Sequence, residues 1–490
     1  MPSSEKNNDS IPGLHSVLNR EEAEKIYSQG SEQTIFVLLE LSAEVQRLRG
    51  NDPVSGTPSA PPSATPVHKK PTTPAGKKKR TKRGAKRGHP GASRPAPEQI
   101  DRREEHHLEQ CPDCGGPVTP RRGKSATRTR LIEDIPEQLT SEVTEHTLHC
   151  AYCPTCKKTV EPKVADALPG SRLGHRALAL STWFHYGLGI TLSHIREVLD
   201  AHLHFSISQG QLINWGHRLN EVLTPWYNEI GEAVKSSGTI NADETGWRVT
   251  GKTHWLWCFS GSDATYYLID RSRGSPALTK FFTEAVDGIL VTDFWQAYNR
   301  VECGGRQKCL PHLFREIDAT SDKDASESWR RFAKKLGRLL RDGLRLKKAG
   351  DISTETYERR SQRIKNRLKS LVKKSVLEEN VNADPNANVV RLCKRLRRHE
   401  DEIFTFLDHE NVPADNNAGE REIRPAVIIR KNSNGNQSDR GASTQAVLMT
   451  VYRTLKKRGL NPLDEIVAAL RHYCIHGQLP PLPNKNPATD

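Results

Sequence analysis

The chain has 490 residues, which is too long for a single hydrophobic core and predicts about three or four domains. Its net charge of +15 indicates a polyanionic partner, of which nucleic acid is the commonest. The sequence contains no run of about 18 apolar residues and starts without the apolar core of a secretory signal, so we expect no membrane span and a cytoplasmic, nucleoid-associated protein.

The first segment, at 1–50, carries apolar residues at helical spacing. Leu38, Leu41, Val45 and Leu48 lie three or four residues apart, which predicts an amphipathic helix. Such a helix is suited to self-association, so we expect a homo-oligomer on DNA. The same pattern also fits a helix that packs against the body of its own chain.

A basic linker follows at 51–100. It is rich in Pro, Ser, Thr and Ala and then carries KKKRTKRGAKRGHPG, so it cannot bury enough apolar surface to order itself. A basic arm of this kind can neutralise DNA phosphates, and it can also serve only as a solubilising linker. The residues expected to contact DNA are Lys77, Lys78, Lys79 and Arg80.

Two C-x-x-C pairs follow, at Cys111–Cys114 and Cys153–Cys156. Four thiolates on two turns predict a structural Zn²⁺ in a zinc-ribbon or knuckle domain at 101–165, with Cys111, Cys114, Cys153 and Cys156 as ligands. The interval between the pairs is longer than usual, so a hairpin at 131–149 is expected to bridge them. The alternative is four reduced cysteines. Spare candidate ligands are His106, His107, His149 and Cys150.

The residues at 166–236 have a helical pattern. SHIREVLDAHL and SQGQLINWGHRLNEVL are separated by a short connector, with Ser193 and Ser208 at the N-cap positions. Two helices joined by a short turn after a zinc module are typical of a helix-turn-helix domain. Any packing of three helices gives the same pattern. The residues expected to reach DNA are Gln211, Asn214 and Arg218.

Strands come next, and two of them are expected to end on an aspartate. Asp243 closes a short run, and Thr253–Ser260 and Ala264–Asp270 then complete a three-stranded meander. Asp293 ends a further buried strand. A buried carboxylate is costly unless something cationic compensates it, so both positions are candidate metal ligands.

A third acid, Glu420, falls in the first turns of a helix that Asp415 or Asn416 can cap. Basic residues crowd around it and are expected to contact DNA: Arg421, Arg424, Arg430 and Lys431. Between Asp293 and this helix, the residues at 322–410 form a basic, helical insertion, which fits a DNA clamp and equally fits a solvated face. Two more helices are predicted in a tail at 433–490.

Three carboxylates on different elements suit Mg²⁺ or Mn²⁺, which prefer oxygen ligands. Two such ions can activate a water or a 3′-hydroxyl group and stabilise the leaving oxygen of a phosphodiester. Cys309 and His312 form a C-x-x-H pair between the acids. Two ligands are too few for zinc, so we expect a core cysteine beside a histidine that touches the acidic cluster or a phosphate.

The runs ADETGWRVTGKTHWLW, TDFWQAYN and above all DNNAGEREIRPAVIIRK resemble the DDE transposases of the insertion-sequence 66 family. The resemblance extends over nearly the whole chain, since a leucine-rich helix, a basic linker, C-x-x-C pairs and a helix-turn-helix precede these runs. One departure is Gly419, where alanine is expected and glycine could loosen the helix by about 1 kcal/mol.

The resemblance implies a multidomain α+β chain with an RNase H-like α/β catalytic core at 237–432, which holds the all-helical insertion and follows the zinc-ribbon or knuckle and helix-turn-helix modules. It also implies that Asp243, Asp293 and Glu420 are the DDE residues, with His312 beside them. The implied partners are double-stranded DNA, as element terminal repeats and target, and small accessory proteins of the element.

Three alternatives fit the same modules. The first is an inactive or domesticated DNA-binding protein, and the second is a nuclease of the same fold that hydrolyses DNA without joining strands. The third is a zinc-ribbon transcription regulator, which would not need the intact acidic triad. Metal-dependent nicking and strand joining separate these alternatives from a transposase.

Overall fold

The computed structural model describes residues 99–103, 108, 110, 112–119, 131–132, 141–323, 327–350, 352–373 and 388–485. The predicted N-terminal helix and the basic arm, including Lys77, Lys78, Lys79 and Arg80, lie outside these residues. The chain divides into two compact units, at 1–137 and 138–490. Within the described part of the chain, none of the helices has both the length and the apolar character that crossing a bilayer requires.

The second unit begins with a short antiparallel hairpin of β1 (Ala151–Cys153) and β2 (Lys158–Val160). The hairpin predicted at 131–149 does not form in its described part, because residues 141–149 carry no strand. These residues are exposed, and Val143 is 90% exposed, so they have no apolar face that a hairpin could cover.

Three helices follow: α1 (His175–Thr182), α2 (Leu192–Leu203) and α3 (Gln209–Lys235). Ser208 caps α3 as predicted, since its side chain accepts from the backbone N–H of Gln211 at 3.1 Å. The prediction that Ser193 caps α2 is wrong. Thr191 does so, because its extended backbone brings the hydroxyl to the N–H of His194 at 3.3 Å.

A five-stranded mixed sheet forms the centre of the second unit. Its strands are β3 (Thr239–Val249), β4 (Lys252–Ser260), β5 (Thr265–Asp270), β6 (Val286–Thr292) and β7 (Cys303–Lys308). Their order is β5-β4-β3-β6-β7, in which the first three strands form an antiparallel meander and β6 and β7 run parallel to β3.

The predicted meander is confirmed, but β3 does not end at Asp243. It continues to Val249 as one arm of a hairpin with β4, and Thr250 and Gly251 form the two-residue turn. Both turn residues have positive φ, of 51° and 73°, as the hairpin turns that match strand twist require. Asp243 therefore lies in the middle of a strand rather than at its end.

Helices cover both faces of the sheet: α4 (Ser275–Phe281), α5 (Leu310–Ser321), α9 (Asn417–Ser433), α10 (Asp439–Lys457) and α11 (Pro462–His476). The two predicted C-terminal helices are thus present as α10 and α11. One large core joins buried side chains of α1–α3, the sheet, α10 and α11, among them Trp215, Trp257 and Leu455.

The predicted insertion is helical and has a core of its own. It contains α6 (Glu327–Lys347), α7 (Thr354–Lys373) and α8 (Asn388–Arg398). Their apolar stripes bury Trp329, Leu368 and Leu396 against α5 and the edge of the sheet, while basic side chains face outward. This arrangement fixes the insertion beside the end of β6.

Candidate active site

The register of the sheet brings Asp243 and Asp293 next to one another. β3 and β6 pair in parallel from Thr239 with Ile289 to Asn241 with Val291, so residues two further along each strand are Asp243 and Asp293. Asp293 follows directly after the last residue of β6, where pairing with β3 has ended. The spacing of two also places both aspartates on the face of the sheet that Asn241 and Val291 share.

Glu420 reaches this region from the first turn of α9, as predicted. Asn416 anchors the start of the helix to β3, because its amide donates to the carbonyl of Ala242 and accepts from Asn241, both at 2.9 Å. Asn416 occupies the N-cap position without a side-chain cap hydrogen bond, and Asp415, just before it, accepts from the N–H of Asn417 at 3.0 Å.

Gly419 has a specific role in this junction. A Cβ at this position would lie 2.8 Å from Oδ1 and 3.1 Å from Nδ2 of Asn416, which is too close for ordinary contact. The glycine thus makes room for the buried amide that ties α9 to β3. Glycine at position 419 was expected to loosen the helix. It also leaves space for the side chain of Asn416, which the Cβ of an alanine would crowd.

The electrostatics of Asp243 fit a cation site. Burial raises the pKa of this carboxyl well above its usual range, and the nearby carboxylates of Glu244, Asp293 and Glu420 raise it further. Its Oδ1 accepts from the N–H of Glu244 at 3.0 Å, which lowers the pKa but does not reverse the shift. A divalent cation among these oxygens would remove the repulsion, so the donor set suits Mg²⁺ or Mn²⁺.

Cys309 and His312 also meet Glu420. Nδ1 of His312 lies 3.1 Å from Sγ of Cys309 and 3.8 Å from Oε1 of Glu420. Among the described residues, these three side chains form the group whose donor atoms all lie within 4.8 Å of one another, and the three acids form no comparable group. The histidine therefore touches the acidic cluster, as expected, and Glu420 supplies a third donor to a pair that alone has too few ligands.

Cys309 and Glu420 each make a further contact. Burial raises the pKa of the Cys309 thiol to about 12, so the sulfur is neutral at physiological pH and accepts from the N–H of Asn416 at 3.3 Å. Nη2 of Arg315 lies 3.6 Å from Oε1 of Glu420. The Glu420 carboxylate thus lies between a histidine and an arginine.

Glu244 is a site residue that the sequence analysis missed. Alternation along β3 points it to the opposite face from Asp243, where its side chain is only 2% exposed. The hydroxyl of Tyr298 donates to its Oε2 at 2.5 Å. Burial raises the pKa of Glu244 to about 7, and the Asp293 carboxylate contributes. The available signal was a second acid directly after Asp243 within the same strand.

The residues expected to contact DNA divide into two groups. Asn214, Arg421, Arg424 and Lys431 are exposed, and Gln211 is half-buried. Arg218 donates to the carbonyl of Pro169 at 2.7 Å. Arg430 donates to Thr245 and to the carbonyl of Gly246, at 2.8 and 2.7 Å, so it joins α9 to β3 within the protein.

The C-x-x-C cysteines are described at three of four positions, since Cys111 lies outside the described residues. In the first unit, Cys114 stands in a turn flanked by a bridge between Gln110 and Pro117. In the second unit, Cys153 and Cys156 flank the turn between β1 and β2. The N–H of Cys156 lies 3.4 Å from Sγ of Cys153 and lowers the pKa of that thiol, which favours the thiolate that binds metal.

Comparison with known proteins gives matches of two kinds. Residues 170–444 match the model of the IS66 transposase family. Two proteins of Sinorhizobium fredii (strain NBRC 101917 / NGR234) are similar. "Uncharacterized protein y4qI" is 27% identical over 337 residues, which cover 61% of this chain and 59% of that protein. "Uncharacterized protein y4jO" is 34% identical over 71 residues, 14% of this chain and 22% of that protein. The family match includes Asp243, Asp293 and Glu420.

Proposed function

The chain belongs to the IS66 family of transposases, and from that membership we propose that it cuts the ends of a mobile DNA element and joins them to target DNA by a metal-dependent reaction of the DDE type. The observation that carries the proposal is the convergence of three acids from separate elements. Asp243 and Asp293 each lie two residues beyond the last pair of β3 with β6, and both Asp293 and Glu420 are near enough to raise the pKa of Asp243.

The strand order supports an RNase H-like core. Three antiparallel strands followed by two strands parallel to the first, in the order β5-β4-β3-β6-β7, place two acids on the central pair. The helical insertion and α9 then bring Glu420 to the same edge. We propose that 237–432 is the catalytic domain, that Cys111, Cys114, Cys153 and Cys156 hold a structural zinc, and that α2 and α3 act as a helix-turn-helix.

The proposed reaction has two steps at phosphorus. In cleavage, water attacks a phosphodiester at the element end, the bond from phosphorus to the 3′ oxygen breaks, and a 3′-hydroxyl and a 5′-phosphate result. In joining, that hydroxyl attacks a target phosphodiester and displaces its 3′ oxygen. Asp243, Asp293 and Glu420 would hold Mg²⁺ or Mn²⁺, which would supply activation of the attacking oxygen and stabilisation of the leaving oxygen.

Other residues hold this arrangement and the DNA. His312 orients Glu420 through the 3.8 Å contact of Nδ1 with Oε1. Exposed Arg421 and Arg424 on α9 are placed to meet DNA phosphates near the acids, and phosphate contacts of this kind position DNA without reading its sequence.

The direct test is a reaction with labelled duplexes that carry the inverted repeats bracketing the gene. With Mg²⁺, the full-length protein should release 3′-hydroxyl ends and form joined products. No cleavage or joining should occur when EDTA removes the metal or when the repeat sequence is scrambled. Specific binding without cleavage would favour the inactive DNA-binding protein. Cleavage without joining would favour the nuclease.

A further inference from the structure

A half-buried ion pair lies next to the proposed metal ligands, with Glu244 buried and Arg273 partly exposed. Arg273, on the segment between β5 and α4, donates from Nε and Nη2 to Oε1 of Glu244 at 3.2 and 3.1 Å. Tyr298 donates to the other oxygen. Both oxygens of Glu244 are therefore engaged, one residue away from Asp243 in β3.

The guanidinium of Arg273 is also stacked between two indole rings. Its Cζ lies 4.3 Å from the centre of the Trp255 ring and 4.2 Å from that of Trp295. The backbone carbonyl of Arg273 accepts from Nε1 of Trp295 at 2.9 Å. A planar guanidinium fits between two rings and presents two N–H donors to one carboxylate. A lysine ammonium has neither the flat face nor the paired donors.

Trp295 connects this slot to the metal site. Its backbone N–H donates to Oδ1 of Asp293 at 2.8 Å, so the residue that stacks on Arg273 also fixes one oxygen of a proposed ligand. A continuous path thus runs from Glu244 on β3, through Arg273 and Trp295, to Asp293 after β6. It begins at Glu244, on the face of the sheet opposite Asp243, and joins β3 to the segment that follows β6.

We propose that Arg273 is a positioning residue for the metal site and sets the separation of Asp243 and Asp293 by tying the segment after β6 to Glu244. The inference rests on the proposed function. Pairing between β3 and β6 ends at Asn241 and Val291, so the backbone ladder does not hold the two aspartates together. The path through Arg273 supplies that connection.

Stability alone accounts poorly for this arrangement. A buried ion pair is often no more stabilising than apolar side chains of the same volume. Moreover, the Glu244 carboxylate is the deeply buried end of this pair, with a side chain that is only 2% exposed. Partners of metal ligands, by contrast, commonly set metal affinity through orientation.

The test measures Mn²⁺ binding to the full-length protein by electron paramagnetic resonance, without DNA and well below the unfolding temperature. Arg273→Lys keeps the positive charge but loses the stacking on the two indole rings and the paired hydrogen bonds to Glu244. It should weaken Mn²⁺ binding by about 10- to 100-fold, the usual effect of removing a partner of a metal ligand. The Mg²⁺ concentration for half-maximal cleavage should rise by a similar factor, with DNA affinity unchanged.

Three further variants complete the design. Arg271→Lys, at an exposed position two residues earlier, should bind Mn²⁺ as the wild type does. Tyr298→Phe removes only the second contact of Glu244 and should weaken binding in the same direction, which keeps the test open if Arg273→Lys does not fold. Asp293→Asn should lose binding.

The outcomes separate the two claims. If Asp293→Asn loses Mn²⁺ while folded Arg273→Lys and Tyr298→Phe bind within twofold of the wild type, the positioning role is wrong and the metal site stands. If the wild type binds no Mn²⁺, or if Asp293→Asn binds normally, the proposed metal site fails and the positioning role fails with it.

Discussion

At the scale of single residues, Asp243 is placed where a carboxylate opposes folding. Burial and three neighbouring carboxylates raise its pKa, so the charged form is less favourable in the folded protein than in the unfolded chain. The contribution of this carboxyl to the free energy of unfolding is fully present when the pH is below the pKa of the unfolded chain. It is lost as the pH rises through the pKa of the folded protein. A residue retained against stability is typical of a site that serves function.

Replacing Asp243 with Asn should therefore stabilise the metal-free protein. The amide keeps an oxygen for the N–H of Glu244 and removes the charge that burial and the neighbouring carboxylates disfavour. We expect the free energy of unfolding by urea at pH 7 in EDTA to rise by more than the roughly 0.5 kcal/mol that surface substitutions typically produce. Exposed Asp287→Asn on β6 is the control and should change it by less than about 0.5 kcal/mol. Lower stability of Asp243→Asn in EDTA would contradict the account of the site.

The three acids could be named as candidates from the sequence, because each stands beside a short apolar run or in the first turn of a helix. The residues behind them could not. Glu244 gave a signal only as an acid inside a strand, and Arg273 lies 29 residues away from it, in a segment with no motif. Their pairing depends on the route of the chain between β5 and α4, which no local pattern specifies.

At the scale of elements, the sequence indicated the meander, the insertion and the helix that carries Glu420. The end of β3 was misplaced because an acid looks like the end of a strand, whereas the hairpin with β4 extends the strand past Asp243. Ser193 was chosen as a cap on composition, but the extended backbone at Thr191 decides where α2 begins. The first error arises because strand pairing overrides a local signal, and the second because the local backbone conformation decides which hydroxyl reaches the start of the helix.

The insertion carries a row of basic side chains on α7, which we propose as a contact surface for DNA phosphates. Arg359, Arg363 and Arg367 recur at intervals of four and are exposed, so they form one row on the helix. Replacing all three with Gln should weaken binding to duplex DNA and flatten the plot of log affinity against log salt, by about 0.9 for each DNA phosphate that the variant no longer neutralises. Fluorescence anisotropy across a range of KCl concentrations measures this slope.

The matched control for this row is Arg331→Gln on α6. Arg331 is exposed and pairs with Glu327 in its own helix at 3.0 Å, so its replacement should leave the slope unchanged. An unchanged slope for the triple variant as well would mean that the basic face of α7 is only solvated.

At the scale of the whole molecule, the segments that are expected to bind DNA precede the helix-covered sheet in the chain. Sequence composition accounts for the basic arm and for the two cysteine pairs. It could not reveal that α1–α3 and the C-terminal helices share one core with the sheet, because that sharing depends on contacts between distant segments such as His217 with Thr444. The helices expected to read DNA are therefore anchored to the proposed catalytic domain.

The cysteine pairs predict that the purified chain carries about one zinc ion, since four thiolates make a closed structural site. Elemental analysis should find that metal in the wild type and find none in the double variant Cys114→Ser, Cys153→Ser. Cys303→Ser, in β7, should retain it. A wild-type protein purified without chelators that holds no zinc would refute this module.

The central claim is that three acids on β3, β6 and α9 hold metal at one place, and iron-directed cleavage of the protein tests it most directly. Fe²⁺ bound in place of Mg²⁺, with ascorbate and peroxide, generates hydroxyl radicals that cut the nearby backbone. We predict cuts around Asp243, Asp293 and Glu420 together, suppressed by excess Mg²⁺ and absent from all three positions in Asp243→Asn, Asp293→Asn or Glu420→Gln. Cuts at one position alone, or cuts that persist in these variants, would contradict a shared site.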